Sequence, residues 1–468
     1  VSVVNGPSTT SNAFGAFTLS GVAAGPVLVN VSAPTFKTTS QAAGVAYSTT
    51  QLALTVAANQ SVSVFPVLHQ GCYEVGTAQA AGSVSLSDEG ISCGAFQPGA
   101  QGDLWASISY GATSFTVPST GELFNGTPRI EIIPIGFPLN SDSATDFTWA
   151  LGLPGASTPL TTIGAAEFRV VDDATNEPLA ITANDTSVVA TIATWKLAST
   201  TTYAPYAYSA TAGSWGPAPG ATLGNAVKEM HGNTPAINTV DLQHVEQLGW
   251  LSVTSAGAPT TCVTGTITAG GSPAPGVWVH TTGLNYLGAS SAVTGSNGTF
   301  CLDVAAQAVV DAGVDAGPVP TLGVSAGYVS TGSAFYSLPT TSYPSAATAG
   351  ATCASGCAAG SIGTIALTPF NSTCVSGTAP GVSAPTLTVD LVNLPVSAAQ
   401  QRDGMENEAY IGTTTLGDGG AFCAQATNGE ITLSDPSCTS GEITVDAGAA
   451  ATCGGGGCTS VGQIAVCL

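Results

Sequence analysis

Residues Gly323-Val324-Ser325-Ala326-Gly327 fit the Gly-x-Ser-x-Gly pattern of a hydrolase nucleophile elbow. Such an elbow presents its serine on a strand-to-helix turn and needs a distant Asp and His to activate it. In a chain this rich in glycine and serine, roughly one such match arises by chance, and the surrounding sequence reads as β-strand throughout. Catalysis is not expected from it. A second grouping, Glu229, His231, Asp241, His244 and Glu246, offers carboxylates and imidazoles for acid–base work or for a weakly held cation. In an extended segment side chains alternate between faces, so Asp241 and His244 point apart while His244 and Glu246 share a face. The expected role of His244 is that of a strand histidine hydrogen-bonded near the core at Trp250. His69 and His280 stand alone and read as structural. No catalytic, cofactor or metal residue is assigned, and no enzyme activity is expected.

Cysteine gives the firmer signal. The twelve cysteines lack the paired spacing and trailing histidines of a zinc site. An even count in turn-rich β sequence points to disulfides and an oxidising compartment. Grouping by region leaves even sets and predicts Cys72–Cys93, Cys262–Cys301, Cys353–Cys357, Cys374–Cys423 and Cys453–Cys458, with Cys438–Cys467 by elimination. Four cysteines in one region still allow three arrangements, so the connectivity stays open. Sequons at Asn30, Asn59, Asn125, Asn184, Asn297 and Asn371 permit glycosylation without requiring it, because Ser and Thr are abundant.

These cysteines mark a repeat. CVTGTITAGG (from Cys262), TGSNGTFCLDV and CASGCAAGSIGTIAL match CVSGTAPGVS (from Cys374), LGDGGAFCAQA and CGGGGCTSVGQIAV, with first cysteines 112 residues apart. That is a domain-sized period, not a short solenoid repeat. Alternation such as Val263 to Ile267, then Val277 to Val279, then Thr299 to Leu302 after an Asn-Gly turn, predicts short antiparallel strands. The only helical stretches expected are short, near 304–310 or 396–407. The opening VSVVNGPSTTSNAFGAFTLSGV fits the same scheme. Val1 to Val4 and a turn at Asn5-Gly6 match the strand at 277–280, and Gly15-Ala16-Phe17 matches Gly298-Thr299-Phe300. Nothing in the N-terminal copy matches CVTGTITAGGSPAPG, so its first strand is expected to be missing.

The run of CVTGTI, a Pro-containing turn, and Gly-x-Phe after a polar turn resembles the carboxypeptidase regulatory-like domain, a transthyretin-like β-sandwich. The resemblance covers residues 1–71 and 259–468. It implies a structural appendage, with no catalytic residues to carry over. The middle region holds five of the six tryptophans, Trp105, Trp149, Trp195, Trp215 and Trp250. Its stretches WKLASTTTYAPYAYSATAGSW and VDLQHVEQLGWLSV, the latter running into TTCVTGTI, resemble cartilage intermediate layer protein-type extracellular sequences. It departs from them at Ser209, where an acidic residue is usual near Tyr208. The expected architecture is all-β: tandem antiparallel β-sandwich (Ig-like or transthyretin-like) domains, disulfide-bonded. The expected divisions are 1–71, lacking its first strand; 72–258, Trp-rich; 259–370; and 371–468, the repeat.

Composition narrows the partners. Charged residues make up 7%, against roughly 25% in an average soluble protein. The six cations, Lys37, Lys196, Lys228, Arg129, Arg169 and Arg402, form no cluster in sequence, so nucleic-acid binding is excluded. No apolar run approaches the ~18 residues of a membrane-spanning helix. No signal peptide is visible; if Val1 is a processed residue, one has been removed. Two functions follow. The first is a structural subunit of an extracellular filament or surface appendage, a homopolymer built head to tail as a neighbour's strand fills the incomplete N-terminal domain. The donor strand would be Val461 to Leu468 or residues preceding Val1. The second is a monomeric adhesin that stacks glycans on Tyr203, Tyr206, Tyr208 and Trp215.

Overall fold

The computed structural model describes the chain apart from residues 12–16, 34–42, 63, 65, 67, 88–92, 95–103, 136–161, 195–196, 232–233, 256–259, 284–288, 307–320, 330–334, 345–350, 358–359, 370–371, 380–385, 392–408, 428, 435–442, 448–452, 454–456 and 464–468. The architecture is all-β with antiparallel sheets and disulfides, as the alternating patterns predict. Among the described residues the only helical elements are the 3-10 turns Cys353–Ser355 and Asp418–Gly420. The expected helix at 304–310 begins inside the strand Thr299–Ala305; its remainder, and the one at 396–407, lie outside the described residues.

The middle region is a two-sheet sandwich. A seven-stranded sheet runs Ser214–Pro217, Tyr203–Ser209, Gly249–Ser255, Thr162–Asp172, Pro128–Pro134, Gln70–Val75 and Ala43–Tyr47. A six-stranded sheet faces it, with Val189–Thr194 and Leu104–Tyr110 at its centre. Period-two alternation sends Ile130, Ile132, Phe168, Val170, Leu251 and Val253 of the first sheet inward to meet Val84, Ile108, Ile192 and Leu242 of the second. The predicted division at 71 and 72 falls inside the strand Gln70–Val75, which also pairs with Ala43–Tyr47. The N-terminal stretch is therefore not a self-contained sandwich, because two of its strands belong to the middle sheet.

What remains at the N-terminus is a three-stranded sheet, in order Ser2–Val3, Gly25–Ser32, Thr49–Val56. The predicted turn is present: Asn5 is left-handed (φ 58°) and Gly6 donates its N–H to Val3 O at 2.9 Å. Phe17 to Ser20 form no strand, and 12–16 lie outside the described residues.

The two C-terminal units repeat in structure. In each, the first strand pairs antiparallel with the Gly-x-Phe strand and parallel with the last strand. These are Thr260–Ala269 with Thr299–Ala305 and Ser361–Pro369, and Ser372–Thr378 with Ala421–Thr427 and Thr459–Gln463. The glycine of the first strand has a steric cause. Gly265 and Gly377 stand opposite Phe300 and Phe422 in register. A Cβ at Gly265 would meet the Phe300 ring at 2.7 Å, and one at Gly377 would meet Gly462 O at 2.6 Å. The motif thus reserves space for an inward ring against a close strand crossing.

The disulfides correct the predicted pairing. Cys262 bonds Cys357 and Cys301 bonds Cys353; Cys374 bonds Cys458 and Cys423 bonds Cys453. Neighbouring strands bring Cys262 and Cys301 to positions two apart in register (Cys262 opposite Asp303, Cys301 opposite Thr264), and each reaches across to the loop before the last strand. Cys353 and Cys357 bracket the 3-10 turn and point to different partners, so they do not bond each other. Cys72 is disulfide-bonded. The side chains of Cys93, Cys438 and Cys467, and with them the predicted Cys72–Cys93 and Cys438–Cys467 bridges, lie outside the described residues.

Non-reducing peptide mapping is expected to recover 262–357, 301–353, 374–458 and 423–453. Gly377→Ala should lower stability by about 1–3 kcal/mol, because a backbone oxygen cannot move aside; a denaturation midpoint left unchanged would contradict this.

Candidate functional site

The outer face of the seven-stranded sheet should be polar if it met water. Alternation places Tyr73, Arg129, Glu131, Glu167, Arg169, Trp250 and Tyr208 there, opposite the apolar core. Yet Arg129, Glu131 and Glu167 are only 2–3% exposed. The N-terminal segment covers them, and a connected set of charges holds it in place. Arg129 Nε donates to Glu131 Oε1 at 3.0 Å and its NH1 to Asn176 Oδ1 at 2.8 Å, with Asp173 Oδ1 at 3.6 Å. The Arg129 guanidinium also lies 5.7 Å from the Tyr73 ring centroid. Arg169 NH2 bonds Glu131 Oε2 at 2.7 Å and donates to Tyr47 O at 2.6 Å.

Glu167 accepts from Thr49 N–H at 2.8 Å and from its hydroxyl at 2.5 Å, while Trp250 Nε1 donates to Thr49 O at 2.7 Å. Burial pushes the Glu167 carboxyl above its ordinary range, opposed by Arg169 and the Thr49 bonds. Two of the chain's three arginines are used here. The signal was present in sequence as Arg129-x-Glu131 and Glu167-x-Arg169, reversed charge pairs two residues apart that an antiparallel ladder brings together. Scattered in sequence, these cations converge in the fold.

The other face of the N-terminal sheet is apolar. Val3, Val29, Val31, Leu52 and Leu54 pack on Trp278, with Val293 beside it. Trp278 is 2% exposed. The face expected to lie open for a missing strand is therefore covered by the third unit of the same chain. Next to Trp278 sits His280, ring centroids 4.7 Å apart, with Nδ1 buried and unpaired. Burial lowers its pKa to about 4.

Beside this contact a cleft of about 810 Å³ opens between the N-terminal sheet and the third unit. Strand segments Pro26–Leu28, Ser291–Val293 and Thr299–Cys301 line it, and among the described residues no charged one does. Among the described residues each of these segments has one edge without a ladder partner, apart from Leu28, whose carbonyl accepts from Val4 N–H at 2.9 Å, and Thr299, whose carbonyl accepts from Gly295 N–H at 2.9 Å. Gly25–Ser32 meets Ser2–Val3 only at Val29 and Asn30; Ala289–Val293 pairs only with Trp278–Gly283; Thr299–Ala305 pairs only with Thr260–Ala269. The cleft can supply backbone donors and acceptors to an extended, uncharged segment.

The sequence candidates for catalysis do not assemble. Ser325 lies mid-strand in Thr321–Val329, opposite His280 of Trp278–Gly283 and at an irregularity in the pairing with Phe335–Pro344, so there is no strand-to-helix elbow. Asp241 accepts from Thr191 at 2.8 Å on the strand Thr234–Gln243. His244 follows that strand, exposed, with φ 60°, and this left-handed residue breaks the alternation that would have put it with Glu246. The side chains of Glu229 and His231 lie outside the described residues. The histidine beside Trp250 is His69 instead, edge to face at 6.3 Å.

Three of the four residues of the expected glycan platform are buried, and the fourth, Tyr206, is half-buried. Tyr203, Tyr208 and Trp215 are 6–9% exposed, Tyr208 packs on Trp215, and its hydroxyl donates to Gln51 Oε1. Of the sequons, Asn59, Asn125, Asn184 and Asn297 are exposed, Asn30 Oδ1 accepts from Gln51, and Asn371 lies outside the described residues.

No protein-family model and no curated protein matches the sequence. Among solved structures, the chain is similar to the streptococcal ancillary pilin, at 11% identity over 48% of this chain and 78% of that one, TM-score 0.22. It is similar to the Bacillus anthracis TIE protein at 9% identity over 92% of this chain and 59% of that one, TM-score 0.16. It is also similar to the full-length major pilin RrgB from Streptococcus pneumoniae, at 10% identity over 87% and 95%, TM-score 0.12.

Arg169→Met should cost about 3–5 kcal/mol, because it leaves Glu131 and Glu167 buried and short of a partner. Amide exchange at Thr49 should rise with it; exchange confined elsewhere would show that the network does not hold this segment. His280 binds its proton more weakly folded than unfolded. Its contribution is intact above about pH 6.5 and is lost as pH falls toward 4. Stability should therefore decline as pH falls from about 6.5 toward 4, and His280→Gln should flatten the pH dependence of stability over that window.

Proposed function

We propose that the chain is a non-catalytic structural subunit of an extracellular or cell-surface fibre, whose copies join by strand insertion. The observation that carries this reading is the cleft. It is bordered by three strand segments with largely open edges and, among the described residues, has no charge in its lining, so it suits an extended neutral segment from a second copy. The acceptor is then the junction between the N-terminal sheet and the third unit, not a gap within the N-terminal sheet, whose apolar face Trp278 covers. Thr459–Gln463 is paired at home with Ser372–Thr378, which argues against the whole segment Val461 to Leu468 as donor. A contact that repeats head to tail without closing yields a helical polymer. Low charge makes such contacts insensitive to salt, and disulfide-locked repeats suit an oxidising exterior.

Electron microscopy of the purified full chain, unaltered and as Val27→Arg or Ala292→Arg, tests this. Fibres from the unaltered chain and monodisperse folded particles from the variants are expected. Fibres of normal length from either variant would overturn the cleft as the joint. Photo-crosslinking from position 292 in the fibre would identify the inserted segment.

A further inference from the structure

Each C-terminal repeat carries two disulfides side by side. In the second repeat all four sulfurs, those of Cys374, Cys423, Cys453 and Cys458, lie within 4.8 Å of one another. Across the two bridges, Cys423 Sγ approaches Cys458 Sγ to 3.5 Å. Four thiolates bound to Zn²⁺ at about 2.3 Å stand about 3.8 Å apart in a tetrahedron. The cluster is thus near the size of a tetrathiolate cage without rearrangement of the strands. Cys374 and Cys423 are fixed on the paired strands Ser372–Thr378 and Ala421–Thr427, and Cys453 and Cys458 precede Thr459–Gln463. Cys374 is fully buried. A thiolate there needs a compensating cation, since burial without one disfavours the charged form.

We propose that this cluster is a redox-gated site for a thiophilic divalent cation, Zn²⁺ above all. Oxidised, the four side chains form two disulfides; reduced, they form one metal centre. Reduction takes two electrons and two protons per bridge from one dithiol molecule, which leaves as its own disulfide. Zn²⁺ then displaces four thiol protons to give a centre of net charge −2. In the reverse direction two molecules of peroxide accept four electrons and four protons, leave as four waters, and re-form both bridges as Zn²⁺ departs. The first repeat is the less complete version. Cys262, Cys301 and Cys357 share the same mutual reach, but Cys353 is not within it; its N–H is bonded to Asp303 Oδ1 at 2.7 Å. The tight site therefore belongs to the second repeat.

The test uses the full chain, reduced by a dithiol, freed of it without air, and alkylated with iodoacetamide with or without ZnCl₂. Per-cysteine mass spectrometry is expected to show Cys374, Cys423, Cys453 and Cys458 protected together, at least tenfold, with one tightly bound Zn²⁺ per chain. Co²⁺ in its place should give the visible absorption of a tetrahedral all-sulfur centre, and Cys374→Ser should abolish both. Because each cysteine is read separately, a loosened reduced chain is also scored: unchanged alkylation there counts against the site. Protection confined to the first repeat, or Co²⁺ spectra without thiolate bands, would overturn the proposal.

Discussion

A chain with three arginines that gathers two of them, one buried and one half-buried, in one contact has placed its scarcest groups where they matter most. Arg129 and Arg169 share Glu131 between them, and Arg169 alone reaches from the middle sheet to Tyr47 O of the N-terminal segment. Desolvating these ions is costly, and pairing them offsets that cost only if each lone pair and each N–H is met. Glu167 shows how closely this is met: its carboxylate is satisfied by the backbone and hydroxyl of Thr49, whose own carbonyl accepts from Trp250. One residue of the N-terminal segment thus closes bonds to two strands of the sheet beneath. The ordering of Thr49–Val56, and with it the sheet that strand anchors, follows from that closure.

The same strand then carries the contact onward. Leu52 and Leu54 face Trp278, while Gln51, pointing the other way, accepts from Tyr208 and donates to Asn30 and to Ala210 O. Period two in one strand therefore serves two opposed layers. The middle sheet is held by hydrogen bonds and charge, and the third unit by apolar burial around a tryptophan. The N-terminal sheet works as an interlayer between them rather than as a domain of its own. The neutral cleft exists because this interlayer touches the third unit at one end and leaves the Pro26–Leu28 end open.

The strands, the turn at Asn5-Gly6 and the tandem repeat were legible because they are written locally, in alternation, Gly-containing turns and matched cysteines. Even the first-strand glycine was visible as a motif, though its reason, the ring of Phe300 or Phe422, lies some tens of residues away. What escaped was whatever depends on which strand lies beside which. Pairing neighbours in sequence gave Cys353–Cys357; the fold sends each to a different strand. Trp215 and Tyr208 look like a platform in sequence but are buried, with the Tyr208 hydroxyl bonded to Gln51 of a distant segment. The charge network was written as two short inverse patterns, and only antiparallel register makes them one object.

Two kinds of bond therefore divide the molecule. Within each C-terminal repeat the closing contacts are covalent, and the first strand is tied to the loop that leads into the last. Between units they are not: the interlayer is held by ion pairs, hydrogen bonds and one apolar cluster with an uncharged histidine beside it. Agents that act on the two are different in kind. Reductant loosens the repeats from inside and leaves the joint's interactions in place; acid charges His280 beside Trp278 and leaves the disulfides intact. A chain built this way keeps its repeats covalently locked while the contact that borders the cleft stays the part that responds to acid. Any segment inserted into that cleft would add ladder bonds to Pro26–Leu28 and Ser291–Val293 together, bridging a contact that among the described residues is held only by non-covalent bonds.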